Sequence, residues 1–350
     1  MPKGSLRRFD LVALTLVGAC VAGLYGAALP DLALRMASSQ VEGTVGGRVS
    51  GAVPAAPTAR LVISHPRAAS TTVAALPAGL DAAAVHRVYD SLGYGLDAVR
   101  GDAAAVPRVY LTSVPGDIKS VTDVDARKNL FLRTMLPLIL KVNEEIAADR
   151  ARLKAMMAAT AEGKALSAGD RRWLDTRSRE YGLKTPDMRK LLPRLDVIPP
   201  SLALAQAAEE SGWGTSRFAR QGNALFGQWT TQGDNGIIPL NREDGKTHVI
   251  KSFPNLLTAV RAYAHNLNSH RAYAEFRTLR ASLRAANKPL DGAALARALH
   301  RYSERGEEYV ATLHTIMRVN DLPPFDNAAL QHPLEEIELA SLITQETLLR

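Results

Sequence analysis

Glu209 and Glu210 stand side by side in the stretch from Pro199 to Trp229, PPSLALAQAAEESGWGTSRFARQGNALFGQW. A carboxyl group that stays protonated near neutral pH can act as a general acid. The surrounding residues give two reasons for this pair to retain a proton. Leu202 to Glu210 holds helix formers and no breaker, Pro199 and Pro200 suit a first turn, and Gly212 and Gly214 end the helix. The pair therefore falls in a last turn, where the helix dipole disfavours negative charge. Its alanine and leucine neighbours disfavour charge as well. On composition alone, two solvated glutamates at a frayed helix end account for the same residues. The rest of the chain decides between these readings.

The elements that must position the pair follow from periodicity. Downstream, Ile237 to Asn241 and Thr247 to Phe253 have an extended pattern, with Glu243-Asp244-Gly245 between them. Asp-Gly between two such runs signals a hairpin. Leu256 to Arg284 and Asp291 to Tyr302 return to helical spacing. Upstream, the apolar run Lys128 to Leu140 continues as a helix through Met157, and Pro137 is expected to kink or restart it. Ser167 is the expected N-cap of a helix reaching Tyr181, and Thr185-Pro186-Asp187 open a short one ending near Arg194. Asp81 to Arg100 carries a short helix, and Val106 to Val114 a strand or extended arm. The fold class is mainly α (α+β): a helical domain interrupted by a small β-hairpin lobe.

The N-terminal part has a different character. Leu11 to Pro30 contains no charged residue, and about 20 residues is the length of a bilayer-spanning helix. Lys3, Arg7 and Arg8 precede it, which keeps the N-terminus cytoplasmic and exports the rest. A cleavable signal peptide is the competing reading, but the run exceeds a signal core and Ala27-Ala28 is a poor cleavage site. The expected order is a cytoplasmic 1–10, an anchor at 11–30, a flexible linker at 31–80 and a poorly defined connecting segment at 81–122. A folded domain at 123–325 and a tail at 326–350 with an amphipathic helix complete it. The linker reading rests on a run rich in Gly, Ala, Ser, Thr and Pro, from Val41 to Pro77.

Net charge is +8, from 43 basic against 35 acidic residues, which favours polyanionic surfaces. No Lys/Arg stripe with interleaved aromatics points to nucleic acid. Cys20 is the only cysteine, so an intrachain disulfide and a cysteine metal site are both excluded. There is no HExxH motif, and His265 and His270 lie five apart on their helix. No metal or cofactor is expected. The basic run Arg261 to Arg284 is a solvated face or one that meets an anionic polymer or lipid surface.

A glutamate ending one helix, a β lobe beside it and helices behind it resemble a lysozyme-like layout. The motif AQAAEESGWGTSRFARQGNALFGQW, Ala205 to Trp229, closely resembles the signature of the Bax-like glucosaminidases. These are bacterial N-acetylglucosaminidases related to flagellar muramidase-type enzymes. A looser similarity runs from Asp123 to Met317. The resemblance implies hydrolysis of β-1,4 bonds in peptidoglycan on the reducing side of N-acetylglucosamine, by a domain held in the periplasm on the inner membrane. It places Glu210, directly before Ser-Gly-Trp-Gly, as the general acid. Glu209 takes a position where the family does not require acidity and is read as solvent-facing, with like-charge repulsion on Glu210 as a further role. The second carboxylate of such an enzyme comes from the β lobe in the family: Glu243 first, then Asp244 and Asp234. All three are equally readable as turn residues, and the substrate's acetamido group is an alternative. Tyr309 matches a family tyrosine that bonds the acetamido group or positions water, and reads otherwise as a core tyrosine. Trp213, Phe226 and Trp229 are candidates for a sugar platform, with core packing favoured for the first two. Asn223 and Gln228 are candidate partners of an N-acetyl group.

Two rivals share much of this pattern. A lytic transglycosylase has the same fold and a single glutamate, but usually continues with Gly-Leu-Met-Gln where this chain has Leu225-Phe226-Gly227-Gln228. A non-catalytic wall-binding scaffold would keep the groove without needing the acid.

Overall fold

A computed structural model of the chain describes residues 74–76, 79–230, 236–238 and 249–332. The expected anchor at 11–30, most of the linker and the tail helix beyond 332 lie outside the described residues. Among the described residues no helix is long and apolar enough to cross a membrane.

Eleven helices are described: α1 (Ala82–Ser91), α2 (Leu96–Arg100), α3 (Val124–Ala161), α4 (Ala168–Glu180), α5 (Met188–Leu191), α6 (Pro200–Ser211), α7 (Arg217–Gly222), α8 (Leu256–Ser269), α9 (Ala274–Ala285), α10 (Gly292–Ala296) and α11 (Glu307–Val319). Strands β1 (Ala74–Leu76) and β2 (Val109–Leu111) pair in parallel. A three-stranded antiparallel sheet holds β3 (Trp229–Thr230), β4 (Gly236–Ile237) and β5 (Val249–Lys251), with β5 in the middle. The mainly helical architecture with a small β lobe is as the periodicity predicts. The pairing of Ile237 with Ile250 forms the expected hairpin, and its Glu243-Asp244 turn lies outside the described residues.

α6 is the central helix. Every residue from Pro200 to Glu209 is buried, as is Ser211, and the helix packs against α3, α10 and α11. Its start is pinned by Asp326, whose carboxylate accepts from Ser201 N at 2.8 Å, Ser201 Oγ at 2.9 Å and Gly292 N at 3.1 Å. α3 runs for 38 residues through Pro137, so the helix does not restart there as one alternative had it. Leu130 to Leu140 are buried all round, so packing outweighs the roughly 3 kcal/mol that an interior proline costs.

One core runs from Leu76 on β1 to Phe325. It includes Val85, Tyr89, Leu96, Val109 and Ile118, so residues 81–122 are an integral part of the fold and not a loose connection. The linker likewise ends earlier than 80, because Ala74–Leu76 pairs with β2 and Leu76 is buried. Short alternating segments of this kind carry little periodicity, which is why they read as connection. A second, smaller cluster forms where the C-terminal half of α3 meets α4 and α5, around Leu153, Leu174 and Leu191. Ser167 caps α4 as expected, its Oγ accepting from Asp170 N at 3.0 Å.

Candidate active site

The SGWG turn aims the end of α6. Gly212, Trp213 and Gly214 all take positive φ, at 57°, 57° and 78°. Ser211 Oγ donates to Ala207 O and accepts from Gly214 N, closing the helix end. A Cβ on Gly214 would lie 3.1 Å from the Phe131 ring. Trp213 packs edge-on against Phe131, with ring centroids 5.8 Å apart. The motif is therefore a C-cap that locks α6 onto α3. It holds the preceding residue, Glu210, in a fixed place.

Glu210 as a residue keeps intermediate exposure, while protein surrounds its carboxyl group. That burial pushes its pKa up to about 7. The Tyr309 hydroxyl, hydrogen-bonded to the carboxylate, opposes the shift; Glu209 adds to it and Arg305 opposes it. The sequence argument named the helix dipole and apolar neighbours, and burial proves the main cause.

A chain of hydrogen bonds leads to the carboxyl. Tyr263 Oη donates to Gln206 Oε1 at 2.7 Å, and Gln206 Nε2 donates to Tyr309 Oη at 2.9 Å. Tyr309 has thus filled an acceptor site on its oxygen, which leaves its proton for Glu210. Gln206 lies one turn before Glu210 on the same face of α6. Around this chain stand Tyr302, stacked on Tyr309 at 5.6 Å, and Tyr273, tilted against Tyr302 at 5.8 Å. The charge on Glu210 raises the pKa of all four tyrosines further, beyond what burial does. They stay neutral donors at any physiological pH.

Glu209 is not solvent-facing. Its side chain is 5% exposed and pairs with Arg305 Nη2 at 2.5 Å. Arg305 also lies over the Tyr309 ring, 5.7 Å from its centroid. An acid at this position is tolerated because a cation from the turn before α11 neutralises it. The expected like-charge effect on Glu210 is present, offset by that same cation.

Phe226 and Trp213 are 3% and 9% exposed. Phe226 stacks on Tyr263 at 3.9 Å, and its carbonyl accepts from Tyr302 Oη at 2.9 Å. Both rings pack in the core, the role favoured for them from sequence, and the alternative platform role is dropped for these two. Trp229, on β3, keeps intermediate exposure. Asn223 caps α7 in a left-handed conformation and donates through Nδ2 to Phe253 O at 3.0 Å. Gln228 donates through Nε2 to Ala262 O at 3.2 Å, joining the β lobe to α8. Glu243, Asp244 and Asp234 lie outside the described residues. Among the described residues no cluster of His, Cys, Asp or Glu could hold a metal.

Sequence reasoning missed Gln206, Tyr263, Tyr273, Tyr302 and Arg305. Only Gln206 left a local signal: a lone amide in an alanine-rich helix, four residues before a candidate acid.

Known proteins match the same region. A family model described as mannosyl-glycoprotein endo-beta-N-acetylglucosaminidase (Glucosaminidase) matches residues 185–322. The chain is 35% identical over 204 residues to Protein bax of Escherichia coli strain K12, covering 57% of this chain and 71% of that relative. No solved structure matches. The family-model match spans every member of the hydrogen-bonded chain from Gln206 to Tyr309.

Proposed function

We propose that this chain, which belongs to the Bax-like glucosaminidase family, hydrolyses β-1,4 glycosidic bonds of peptidoglycan on the reducing side of N-acetylglucosamine. A glucosaminidase domain makes it a glycosidase-type enzyme. The observation that carries the finer reading is Glu210: a carboxyl raised to about 7 and bonded by a tyrosine at the end of an ordered donor chain. Such a group keeps its proton in about half of the molecules at neutral pH and can protonate the leaving oxygen. As the bond breaks, Glu210 becomes an anion. Tyr309 then stabilises it, because a hydrogen bond to a carboxylate is stronger than one to the neutral acid.

The reaction also needs a nucleophile or base on the other face of the sugar. Glu243, with Asp244 and Asp234 behind it, is proposed for that role from the β lobe; the substrate's acetamido group is the alternative. Trp229 is proposed as a sugar-packing ring, with Asn223 and Gln228 as amide contacts. The uncharged run at 11–30, preceded by Lys3, Arg7 and Arg8, supports an inner-membrane anchor with the domain in the periplasm.

The test is an assay of the full chain on purified peptidoglycan beside Glu210→Gln. New reducing N-acetylglucosamine ends from the parent, and about 10²–10⁴-fold fewer from the variant, are expected. Anhydro-muramic ends would identify a transglycosylase instead. Binding without any new ends would leave a scaffold and sink the enzyme reading.

A further inference from the structure

A groove of about 450 Å³ opens between the β lobe and α8. One wall is a single face of α8, where Thr258, Arg261, His265 and Ser269 recur at helical spacing. The other wall is Gln228 and Lys251, tied together by Lys251 N donating to Gln228 O at 2.8 Å. The groove adjoins the candidate active site. Asn266, in its lining, hydrogen-bonds Tyr273, whose titration feels Glu210.

Apart from Gln228, proposed above as an amide contact, the chemistry of this lining differs from that of a sugar subsite. A pyranose packs on Trp, Tyr or Phe rings, and none lines the groove among the described residues. Among the described residues no Asp or Glu lines it either, whereas Lys251, Arg261, His265 and His270 do. The remaining side chains are hydroxyls and carboxamides, with one alanine. Amides and hydroxyls beside cations suit a peptide that carries carboxylates. Glu145 pairs bidentately with Arg261 through Nε and Nη2 at 2.8 Å, so Arg261 is already neutralised and Lys251 is the cation left to meet a ligand carboxylate; Glu180 pairs with Arg177 while its carbonyl meets His265 Nε2 at 2.9 Å. Lys251 is exposed, with Nζ 5.3 Å from the centroid of the Phe253 ring. The C-terminal end of α8 disfavours an anion near Ser269, so the carboxylate belongs at the Lys251–Arg261 end.

We propose that this groove binds the carboxylates of the peptide stems borne by the glycan strand, so that the enzyme acts preferentially on stem-bearing strands. The proposal rests on the glycan reading above. N-acetylglucosamine is neutral, and the peptide stem supplies the anionic groups next to the bond cleaved.

The experiment compares initial rates of reducing-end release by the full chain from intact peptidoglycan and from the same material stripped of stems by an amidase, with the lactyl carboxylates that the amidase uncovers capped as amides. The expected parent ratio is about tenfold in favour of stem-bearing strands, falling towards one as salt screens the contact. Lys251→Glu, which reverses one charge on an exposed side chain, is expected to cut that ratio at least about fivefold. A parent indifferent to stems, or a ratio unmoved by Lys251→Glu, overturns the proposal. Titration of an isolated carboxylated stem peptide against its amide-capped form separates this from the glycosidase reading. If neither substrate is cleaved, that reading fails, and the titration alone decides the groove. Preference for the carboxylated peptide, lost in Lys251→Glu, supports it; equal binding of the two forms refutes it.

Discussion

The end of α6 and the outer face of α8 lie close together and are built in opposite ways. At α6, Glu210 is enclosed by aromatic side chains, and the residues that orient it are each less than a tenth exposed or stacked on one that is. Along α8, the groove is open and cationic, and among the described residues it is free of aromatic rings apart from its imidazoles. Low-dielectric surroundings are what shift a carboxyl pKa and fix a proton donor. An exposed cationic trough does neither, because water screens it, but it steers and selects an anionic ligand. Under the proposed function, bond cleavage belongs to the first region and choice of substrate to the second. The two should therefore fail differently when altered.

The largest effect is expected at Glu210 itself, where Gln removes the proton and costs about 10²–10⁴-fold in kcat. Next is Tyr309→Phe. It strips the donor from the carboxylate and leaves Gln206 Nε2 without its acceptor. A loss of about tenfold in kcat is expected, with the alkaline limb of the pH profile moving upward, because a bond favouring the charged form is gone. A variant with an unshifted limb would show that Tyr309 merely packs.

Stability reports on the same burial. The folded pKa of Glu210 stands above its ordinary 4.5, so the folded state holds the proton longer than the unfolded chain. Stability from this group is lost as pH rises from about 4.5 through about 7, and stays lost above it. Measured by urea unfolding, Glu210→Gln should gain roughly 2 kcal/mol on the parent between pH 4 and pH 8, after discounting for partial exposure. A constant difference across that range would contradict a buried carboxyl.

Glu209→Gln makes a smaller, sharper change. It removes a like charge beside Glu210 and leaves the Arg305 cation in place, so the alkaline limb should move down, by less than about one pH unit. An upward move would mean that Arg305 leaves the site with its partner. The smallest effect is expected in the groove, where reversing Lys251 alters the substrate ratio and not the position of the limb.

Much of α6 was legible in the sequence because its signals are local. Proline at the start, alanines within and SGWG at the end fix the helix and its last turn within a few residues of Glu210. The hairpin was legible through Asp244-Gly245 for the same reason. Of the partners of Glu210, Tyr309 was reached through the family resemblance alone, and Tyr263 and Tyr302 were not legible, since they come from separate elements brought together only by the core. Glu209 was misread because burial depends on a cation 96 residues away in sequence. Trp213 and Phe226 stand within the motif, and the core packing favoured for them over a sugar contact is what Phe131 and Tyr263 provide. The 81–122 segment was read as connection because its packing is against α3, not within itself.

The pH dependence of kcat/KM for reducing-end release by the full chain tests the central claim most directly. If Glu210 is the proton donor held by burial, activity falls above an apparent pKa near 7, and Glu210→Gln lacks that limb in whatever activity it retains. A limb at the ordinary carboxyl value, or one that survives in Glu210→Gln, would contradict the account.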